Sequence, residues 1–208
     1  MNMKGGHGGE QKSLVPACLE AKSLPSPHCG RVPTAVFSDS IDFEGSRASE
    51  GSRAQDKNKF YVVFSQNSHI YLAISNDQGL SYGSPVAVNR TPELIYDDGE
   101  NRPKIVLGDN QEVYVSWTHK TNGRYSGDVR FSRSLDAGLT FEKPVTINTD
   151  RALISHRFDA MTLDDQGHLY LVWIDKRDKA EAELLEKEYD GSSVYYAVSK
   201  DAGANFTE

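Results

Sequence analysis

Three arginines, Arg31, Arg102 and Arg157, each open a short apolar segment of the chain. The segments read RVPTAVF, RPKIVL and RFDAMTL, and such short apolar runs favour β-strands. If the three strands take equivalent places around one axis, their guanidinium groups converge at one end of it. Guanidinium groups hold a carboxylate through paired hydrogen bonds that lysine reproduces poorly. The arginines therefore predict a binding site for an acidic ligand.

A second interpretation of the same arginines remains open. Each one pairs with a local acid, such as Glu100 or Asp159, and simply fixes its own strand. A later segment, Asp175-Lys176-Arg177-Asp178, follows another apolar strand and should open on the same end as the arginines. Asp175 and Arg177 are candidate ligand-binding residues there, with a salt-bridged loop anchor as the alternative.

An octapeptide with the pattern S-x-D-x-G-x-polar-aromatic, here called a box, occurs three times. The boxes begin at Ser75, Ser134 and Ser199, so they are 59 and 65 residues apart, a long period typical of repeat architectures. The pattern-bearing residues are Ser75, Asp77, Gly79 and Tyr82; Ser134, Asp136, Gly138 and Phe141; and Ser199, Asp201, Gly203 and Phe206.

The residue types of the box predict a folded turn. Its aspartate and serine can bond to backbone groups, its glycine suits a positive φ, and its aromatic residue can pack inward. Three copies at equivalent positions cannot share one catalytic site. We therefore expect the three aspartates, Asp77, Asp136 and Asp201, to be structural.

Apolar strands flank each box in the same order, which predicts an all-β chain of repeated four-stranded antiparallel units. The units cover about residues 31–92, 101–150 and 155–208, and the last should lack its outer strand. The composition of residues 1–30, which are rich in Gly, Ser, Pro and Lys, predicts a flexible N-terminal segment. A duplication within residues 44–54 predicts a mobile loop, and residues 180–187 favour one or two helical turns.

Three boxes in register, with matching strands on both sides, resemble the Asp-box (BNR-repeat) β-propellers of the sialidase superfamily over about residues 31–208. The resemblance implies a six-bladed propeller, of which three blades are present. It also implies an arginine triad that binds the substrate carboxylate, and Arg31-Val32-Pro33 is similar to the family's R-I-P motif. The segment from Asp175 to Asp178 resembles a D-x-R-D segment of bacterial sialidase-like repeats.

A retaining sialidase further requires a proton donor and a tyrosine nucleophile activated by a glutamate. Asp39, Asp42 and Asp56 lie where the family's acid is found, and no motif selects one of them. The family's tyrosine comes late, beyond these repeats, so no catalytic residue is assigned; Tyr96 and Tyr189 are weak substitutes.

Three blades alone would leave two apolar sheet faces exposed to water. Three explanations of these exposed faces are open: a second copy of the chain covers them, a missing remainder of the same chain covers them, or the chain is a truncated product. We expect that the chain is a fragment of a longer coding sequence.

Composition and charge limit the kinds of partner that the chain can bind. With 208 residues and a net charge of −7, the chain lacks the clustered positive charge that general nucleic-acid binding requires. No segment is apolar enough to span a membrane, and no signal peptide is seen. The six histidines have no metal-ligand spacing, so no metal is expected, and no cofactor is expected either. A disulfide between Cys18 and Cys29 would indicate a periplasmic or secreted protein, whereas two free thiols remain the alternative.

Two functions follow from these patterns, with an inactive fragment as a third interpretation. The first is an exo-sialidase-like glycoside hydrolase, or part of one, that acts on acidic sugars. The second is a non-catalytic propeller module that binds a glycan or a protein.

Overall fold

The computed structural model of the chain describes residues 35–37, 42–43, 46–47, 51–56, 58–189 and 191–208, the first three ranges by their strand pairing alone. The strands are β1 (Ala35–Phe37), β2 (Asp42–Phe43), β3 (Ser46–Arg47), β4 (Gly51–Asp56), β5 (Lys59–Gln66), β6 (His69–Ser75), β7 (Val86–Ala87), β8 (Ile95–Tyr96), β9 (Lys104–Leu107), β10 (Val113–Lys120), β11 (Gly127–Ser134), β12 (Val145–Thr146), β13 (His156–Leu163), β14 (Leu169–Asp175) and β15 (Ser193–Ser199). One helix, α1 (Arg177–Leu184), and one 3-10 turn, Gly99–Asn101, complete the described part. The predicted all-β class is confirmed.

The strands form three larger antiparallel sheets that follow one another along the chain. The first sheet has the order β1-β4-β5-β6-β7, and the third has the order β13-β14-β15. In the second sheet, β12, β11 and β10 lie side by side, and both β8 and β9 pair with the other edge of β10. Strands β2 and β3 form a separate hairpin.

The first sheet corrects the prediction for residues 44–54. This duplicated segment was expected to be a mobile loop, but it contains β3 and β4, and β4 pairs with β5 along its whole length. Ser52 and Ala54 are buried against neighbouring residues, since their small side chains allow a close approach. The apolar segment that follows Arg31 contributes β1, which pairs with β4 on the side away from β5.

The three boxes form turns with one hydrogen-bond pattern. In each box the glycine N–H donates to the serine Oγ at 2.8 Å, and the serine hydroxyl donates to the aspartate Oδ1. The aspartate Oδ1 also accepts the N–H of the seventh residue at 2.9 Å. The glycine φ values are +88°, +88° and +80°, a region that favours glycine. Sequence identity at a few positions thus specifies the same turn three times.

The second box packs directly on the first sheet. A Cβ added to Gly138 would lie 2.5 Å from Leu72 Cδ2 and 3.2 Å from Ile74 Cδ1, both on β6. The third box repeats this contact, because a Cβ on Gly203 would lie 2.8 Å from Phe131 Cζ on β11. Each of these glycines allows a turn to approach the preceding sheet closely.

Two apolar cores fill the spaces between the sheets. The core between the first and second sheets includes Leu72, Trp117 and the box residue Phe141. The core between the second and third sheets includes Phe131 and Trp173, and the third box's Phe206 packs edge-on to Phe131 at 5.0 Å. The box aromatics therefore pack with the apolar strands, as the sequence predicts.

Replacement of Gly138 by alanine tests this contact between sheets. Gly138→Ala should lower the free energy of unfolding by about 1–2 kcal/mol from the positive φ, and by roughly 1–3 kcal/mol more from the clash with buried Leu72. Urea unfolding at neutral pH measures the loss.

Gly79→Ala is the matched control for this substitution. Gly79 has the same φ of +88°, but its nearest neighbour to an added Cβ is Phe60 Cδ2 at 3.4 Å, an ordinary contact. We expect the Gly79 variant to lose the smaller part alone. Equal losses in the two variants would contradict a steric role of Gly138 between sheets.

Candidate functional site

The 3-10 turn Gly99–Asn101 is the centre of the candidate site. It lies between β8 and β9, and both of these strands pair with β10, so the turn is fixed at one end of the second sheet. Just before it, Asp97 accepts a 2.7 Å hydrogen bond from the hydroxyl of Ser65 in the first sheet. Within the turn, Asn101 is buried and donates to Asp98 Oδ1 at 3.3 Å.

Arg157 reaches this turn from the third sheet. Its guanidinium carbon lies 3.9 Å from the centre of the Tyr96 ring, and its Nε is 3.4 Å from Asn101 Oδ1. Its Nη1 is 3.4 Å from the Tyr125 carbonyl oxygen, so both hydrogen bonds are long. Arg157 is 7% exposed, and within the described ranges no carboxylate lies at ion-pair distance from it. The stacked ring, rather than an acid, holds this guanidinium.

A β-bulge in β13 accompanies the position of Arg157. Between Arg157 and Ala160 the pairing with β14 contains one additional residue, and Phe158 has a φ of +59°. A positive φ is unusual for a bulky residue, and bulges are frequent next to functional sites. Arg157 and Asp159 are both buried on the side of the second sheet, where Asp159 accepts hydrogen bonds from Ser116 and Thr118.

Arg102 lies next to the same turn and is also 7% exposed. Its Nη1 donates to the Gly99 carbonyl at 2.6 Å and is 3.6 Å from Glu100 Oε2, while its buried Nε has no hydrogen-bond partner among the described residues. The predicted pairing with Glu100 therefore exists for Arg102, whereas Arg157 does not pair with Asp159. We refer to Tyr96, Asn101, Arg102 and Arg157 as the arginine cluster.

Lys104 adds a third cation beside the arginine cluster. Burial lowers its pKa, although Asp159 acts in the opposite direction. Its Nζ donates to the carbonyl oxygens of Glu100 and Arg102 at 2.7 and 2.5 Å. The site thus places three cations, Arg102, Lys104 and Arg157, around one turn, with the acids Glu100 and Asp159 nearby.

The third predicted arginine, Arg31, lies outside the described residues, as do Cys18 and Cys29. The structure brings two of the three predicted arginines to one turn. The substrate role predicted for them stays a prediction, and so does the disulfide.

Asp175 and Arg177, which were candidates for ligand binding, bond to protein groups. The fully buried Asp175 accepts hydrogen bonds from Trp173 Nε1 at 2.7 Å, His156 Nδ1 at 2.9 Å and Arg177 at 2.8 Å. Burial alone would raise the pKa of Asp175, but the hydrogen bonds from His156, Arg177 and Trp173 outweigh it and lower the pKa. Arg177 also pairs with Glu208 at 2.5 Å. These contacts match the loop-anchor interpretation.

Helix α1 carries a second polar group of contacts at this end. Asp178 accepts a 2.7 Å hydrogen bond from the hydroxyl of Tyr195 and a second one from Ser193. The hydrogen bond to Asp178 and burial together raise the pKa of Tyr195 to about 12. The Arg177 guanidinium lies 3.9 Å from the centre of the Tyr195 ring. Helical turns were predicted here, and the helix begins three residues earlier than expected.

Sequence reasoning missed two buried asparagines and one buried histidine. Asn89 and Asn148 follow the boxes at equal distances, and their amide oxygens accept the backbone N–H of Ile70 and Val129. Both asparagines end the pattern P-V-x-(V/I)-N, which occurs twice at a spacing of 59 residues, so this pattern could have identified them. His156 is fully buried, and within the described ranges its Nε2 has no hydrogen-bond partner. No sequence pattern distinguishes it from the other histidines.

The hydrogen bonds of the box aspartates indicate a structural role rather than a catalytic one. The hydroxyl of Thr140, the hydroxyl of Ser134 and the N–H of Thr140 lower the pKa of Asp136 to about 2. Corresponding groups lower the pKa values of Asp77 and Asp201 to about 2. Every carboxylate oxygen of the three groups accepts a hydrogen bond from its own turn.

Two absences apply to the described part of the chain. It contains no group of three or more His, Cys, Asp or Glu residues arranged to hold a metal ion. Its single α-helix is too short and too polar to cross a bilayer.

No protein-family model matches the chain, and no curated protein matches it. Among solved structures, the chain is similar to an ulvan lyase from a new family of polysaccharide lyases, with 15% identity, a TM-score of 0.48, and coverage of 85% of this chain and 40% of the lyase. It is similar to the NanB sialidase from Streptococcus pneumoniae, with 11% identity, a TM-score of 0.46, and coverage of 74% and 21%. A thermostable family-43 glycoside hydrolase gives 12% identity, a TM-score of 0.41, and coverage of 83% and 49%. The chain spans less than half of each of these proteins.

The low pKa of the box aspartates predicts that the free energy of unfolding depends on pH. The substitution Asp136→Asn should remove the part of this dependence that Asp136 causes. A carboxyl group with a folded pKa of about 2, below its ordinary value of 3.8, stabilises the fold above pH 4. That contribution is lost as the pH falls toward 2. The difference in unfolding free energy between wild type and Asp136→Asn should therefore be constant above about pH 5 and shrink by more than half near pH 2.5.

Urea unfolding across this pH range measures the difference, with Glu188→Gln as a control for an exposed carboxylate outside the boxes. A gap that stays constant, or widens toward low pH, would show that the charge of Asp136 does not hold the turn.

Proposed function

We propose that this chain is part of a sialidase-type, carbohydrate-active propeller that binds an acidic glycan at the arginine cluster. The observation that carries this proposal is the state of Arg157. Its guanidinium is 7% exposed and stacked on Tyr96, and it has no carboxylate partner among the described residues.

A buried cation without a counter-ion is unfavourable, since removal of charge from water costs several kcal/mol unless hydrogen bonds and an opposite charge compensate. Two long hydrogen bonds leave much of the donor capacity of Arg157 unused. A carboxylate from a uronic or sialic acid residue would supply both the charge and the acceptors. The arginine cluster therefore favours an anionic ligand over a neutral one.

Tyr96 fixes the plane of the Arg157 guanidinium. A planar cation that is held on one face by an aromatic ring presents its N–H groups at the edge, in the geometry that a carboxylate accepts. Arg102, at the same turn, has a buried Nε without a partner and is the second donor in this proposal. Asp175 and Arg177 support the third sheet and are not part of the proposed contact with ligand.

Hydrolysis of the glycan is the second candidate function, and one contact favours it. The hydroxyl of Tyr195 donates to Asp178 at the end of the third sheet where Arg157 lies. A tyrosine that passes its proton to a carboxylate can attack a sugar centre beside an anionic group. The resemblance implies that the family's own tyrosine comes beyond these repeats, so in this second proposal the Tyr195–Asp178 pair takes the roles of the family's tyrosine and glutamate. In keeping with the sequence prediction, we propose a compartment outside the cytoplasm.

Binding of 3′-sialyllactose, measured by titration calorimetry and compared with neutral lactose, tests the first function. We expect wild type to bind the sialylated sugar and not lactose. Arg157→Lys should weaken binding by about 10-fold or more, because lysine lacks the planar fork and the stacking on Tyr96.

Arg130→Lys is the matched control, since Arg130 is half-buried and already pairs with Glu93 at 3.1 Å. It should bind as wild type does. Equal affinity of Arg157→Lys and wild type, or equal affinity for the two sugars, would refute the proposed site.

Turnover of a fluorogenic sialoside tests the second function. If the chain hydrolyses it, Tyr195→Phe should lower kcat by about 100-fold or more, because the variant lacks the nucleophile and the proton path. Tyr189→Phe removes a neighbouring hydroxyl that bonds to Ser193 and should retain activity. Wild-type turnover no higher than that of Arg157→Ala would exclude hydrolysis and leave the binding function standing.

A further inference from the structure

The loop between β10 and β11, residues 121–126, lies beside the arginine cluster. The carbonyl oxygen of Tyr125 in this loop is 3.4 Å from Arg157 Nη1. The side chain of Tyr125 therefore leaves the backbone next to the guanidinium that is proposed to hold the acid. Tyr125 is nevertheless 63% exposed. An aromatic side chain thus stands in water at the edge of the site.

The backbone of Tyr125 is strained. Its φ is +56°, and a positive φ is a genuine outlier for a bulky residue. Strain of this kind is kept most often at ligand-binding positions, because contacts with the ligand depend on the resulting direction of the side chain. A strained backbone and an exposed aromatic ring are both unfavourable in the free protein. Contact of the ring with a ligand would remove the second of these costs.

Hydrogen bonds and close packing hold the loop in place. The hydroxyl of Thr121 donates to Ser126 Oγ at 2.6 Å, and the N–H of Ser126 donates to the Gly123 carbonyl at 3.3 Å. A Cβ added to Gly123 would lie 3.0 Å from the carbonyl oxygen of Leu153, so the loop packs directly on the segment that leads to β13. The loop therefore presents Tyr125 in a fixed position, and little conformational entropy is lost when a ligand binds there.

Arg124 orients the ring of Tyr125. Its guanidinium carbon lies 5.1 Å from the ring centre, within the range of a cation–π contact. This pair repeats, in an exposed setting, the stacking of Arg157 on Tyr96. With Arg124 over one face, the exposed ring offers its other face to a flat apolar surface. A pyranose sugar has such a surface, because the C–H groups on one side of its ring project together.

We propose that Tyr125 forms a second sugar subsite next to the arginine cluster, where it stacks on the neutral sugar to which the acidic residue is linked. This inference rests on the proposed function, because the acidic sugar at Arg157 brings the next sugar to Tyr125. Stacking removes the apolar faces of both rings from water, while the carboxylate stays with the arginines. The ligand is therefore an acidic oligosaccharide rather than a single acidic sugar.

Binding of 3′-sialyllactose, compared with the methyl α-glycoside of the same sialic acid, tests this inference. The two ligands share the acidic residue, but only the first continues with galactose. Wild type should bind 3′-sialyllactose about 10-fold more tightly, as measured by titration calorimetry. Tyr125→Asn should remove this preference and leave the affinity for the methyl glycoside unchanged, because asparagine tolerates a positive φ and keeps the carbonyl that contacts Arg157.

Two further variants and one measurement on wild type complete the experiment. Tyr125→Phe keeps the ring and should keep the preference for 3′-sialyllactose. Leu139→Asn, at a 71% exposed apolar residue of the second box, is the matched control and should bind both ligands as wild type does. In wild type, saturation transfer from the aromatic protons of the protein should reach the C–H protons of the galactose ring.

Four results would overturn this inference while the proposed function stands. They are equal affinity of wild type for the two ligands, an unchanged preference in Tyr125→Asn, equal weakening of both ligands in that variant, and the absence of saturation transfer to galactose. By contrast, wild type that binds neither ligand, or Arg157→Lys that binds both as wild type does, would refute the proposed function and this inference with it.

Discussion

Close contact between a box glycine and a strand of the preceding sheet organises the molecule. Gly138 lies against Leu72 and Ile74, and Gly203 lies against Phe131, at distances that leave no space for a side chain. A turn that approaches so closely brings its aromatic residue into the core between the two sheets. The spacing of the sheets, and with it the position of every side chain that reaches from one sheet to the next, depends on these two contacts.

The arginine cluster exists because neighbouring sheets are held in this way. Arg157 belongs to the third sheet, but the ring on which it stacks and the asparagine that it contacts belong to the second. A bulge with a positive φ at Phe158 accompanies the arginine, and local strain of this kind is most often kept at functional positions. The arginine cluster is therefore a property of two sheets together, and a change in their packing would alter it.

The repeats share their turns but differ in their polar contacts. Trp173 donates to Asp175, which also accepts hydrogen bonds from His156 and Arg177. The buried Trp117 Nε1 in the second sheet has no hydrogen-bond partner in the part of the chain that the structure describes. His119 stands in the second repeat where Asp175 stands in the third. The aspartate at this position bonds to the first residue of α1 and so connects the end of the strand to the helix. In the described part of the chain, the third sheet is thereby joined to the one α-helix through the hydrogen bonds of Asp175.

The sequence by itself determined the class of the fold, the strands around each box and the turn that each box forms. These features depend on alternating apolar residues and on hydrogen bonds within eight residues, which are local properties. It also named Arg102 and Arg157, because both open apolar strands. Tertiary structure alone decided that Arg157 has no acidic partner among the described residues, and that His156 and Glu208, which are distant in sequence, pair with Asp175 and Arg177. It also placed residues 51–56 in a strand where a loop was expected, because pairing with β5 depends on a neighbour and not on the composition of the segment.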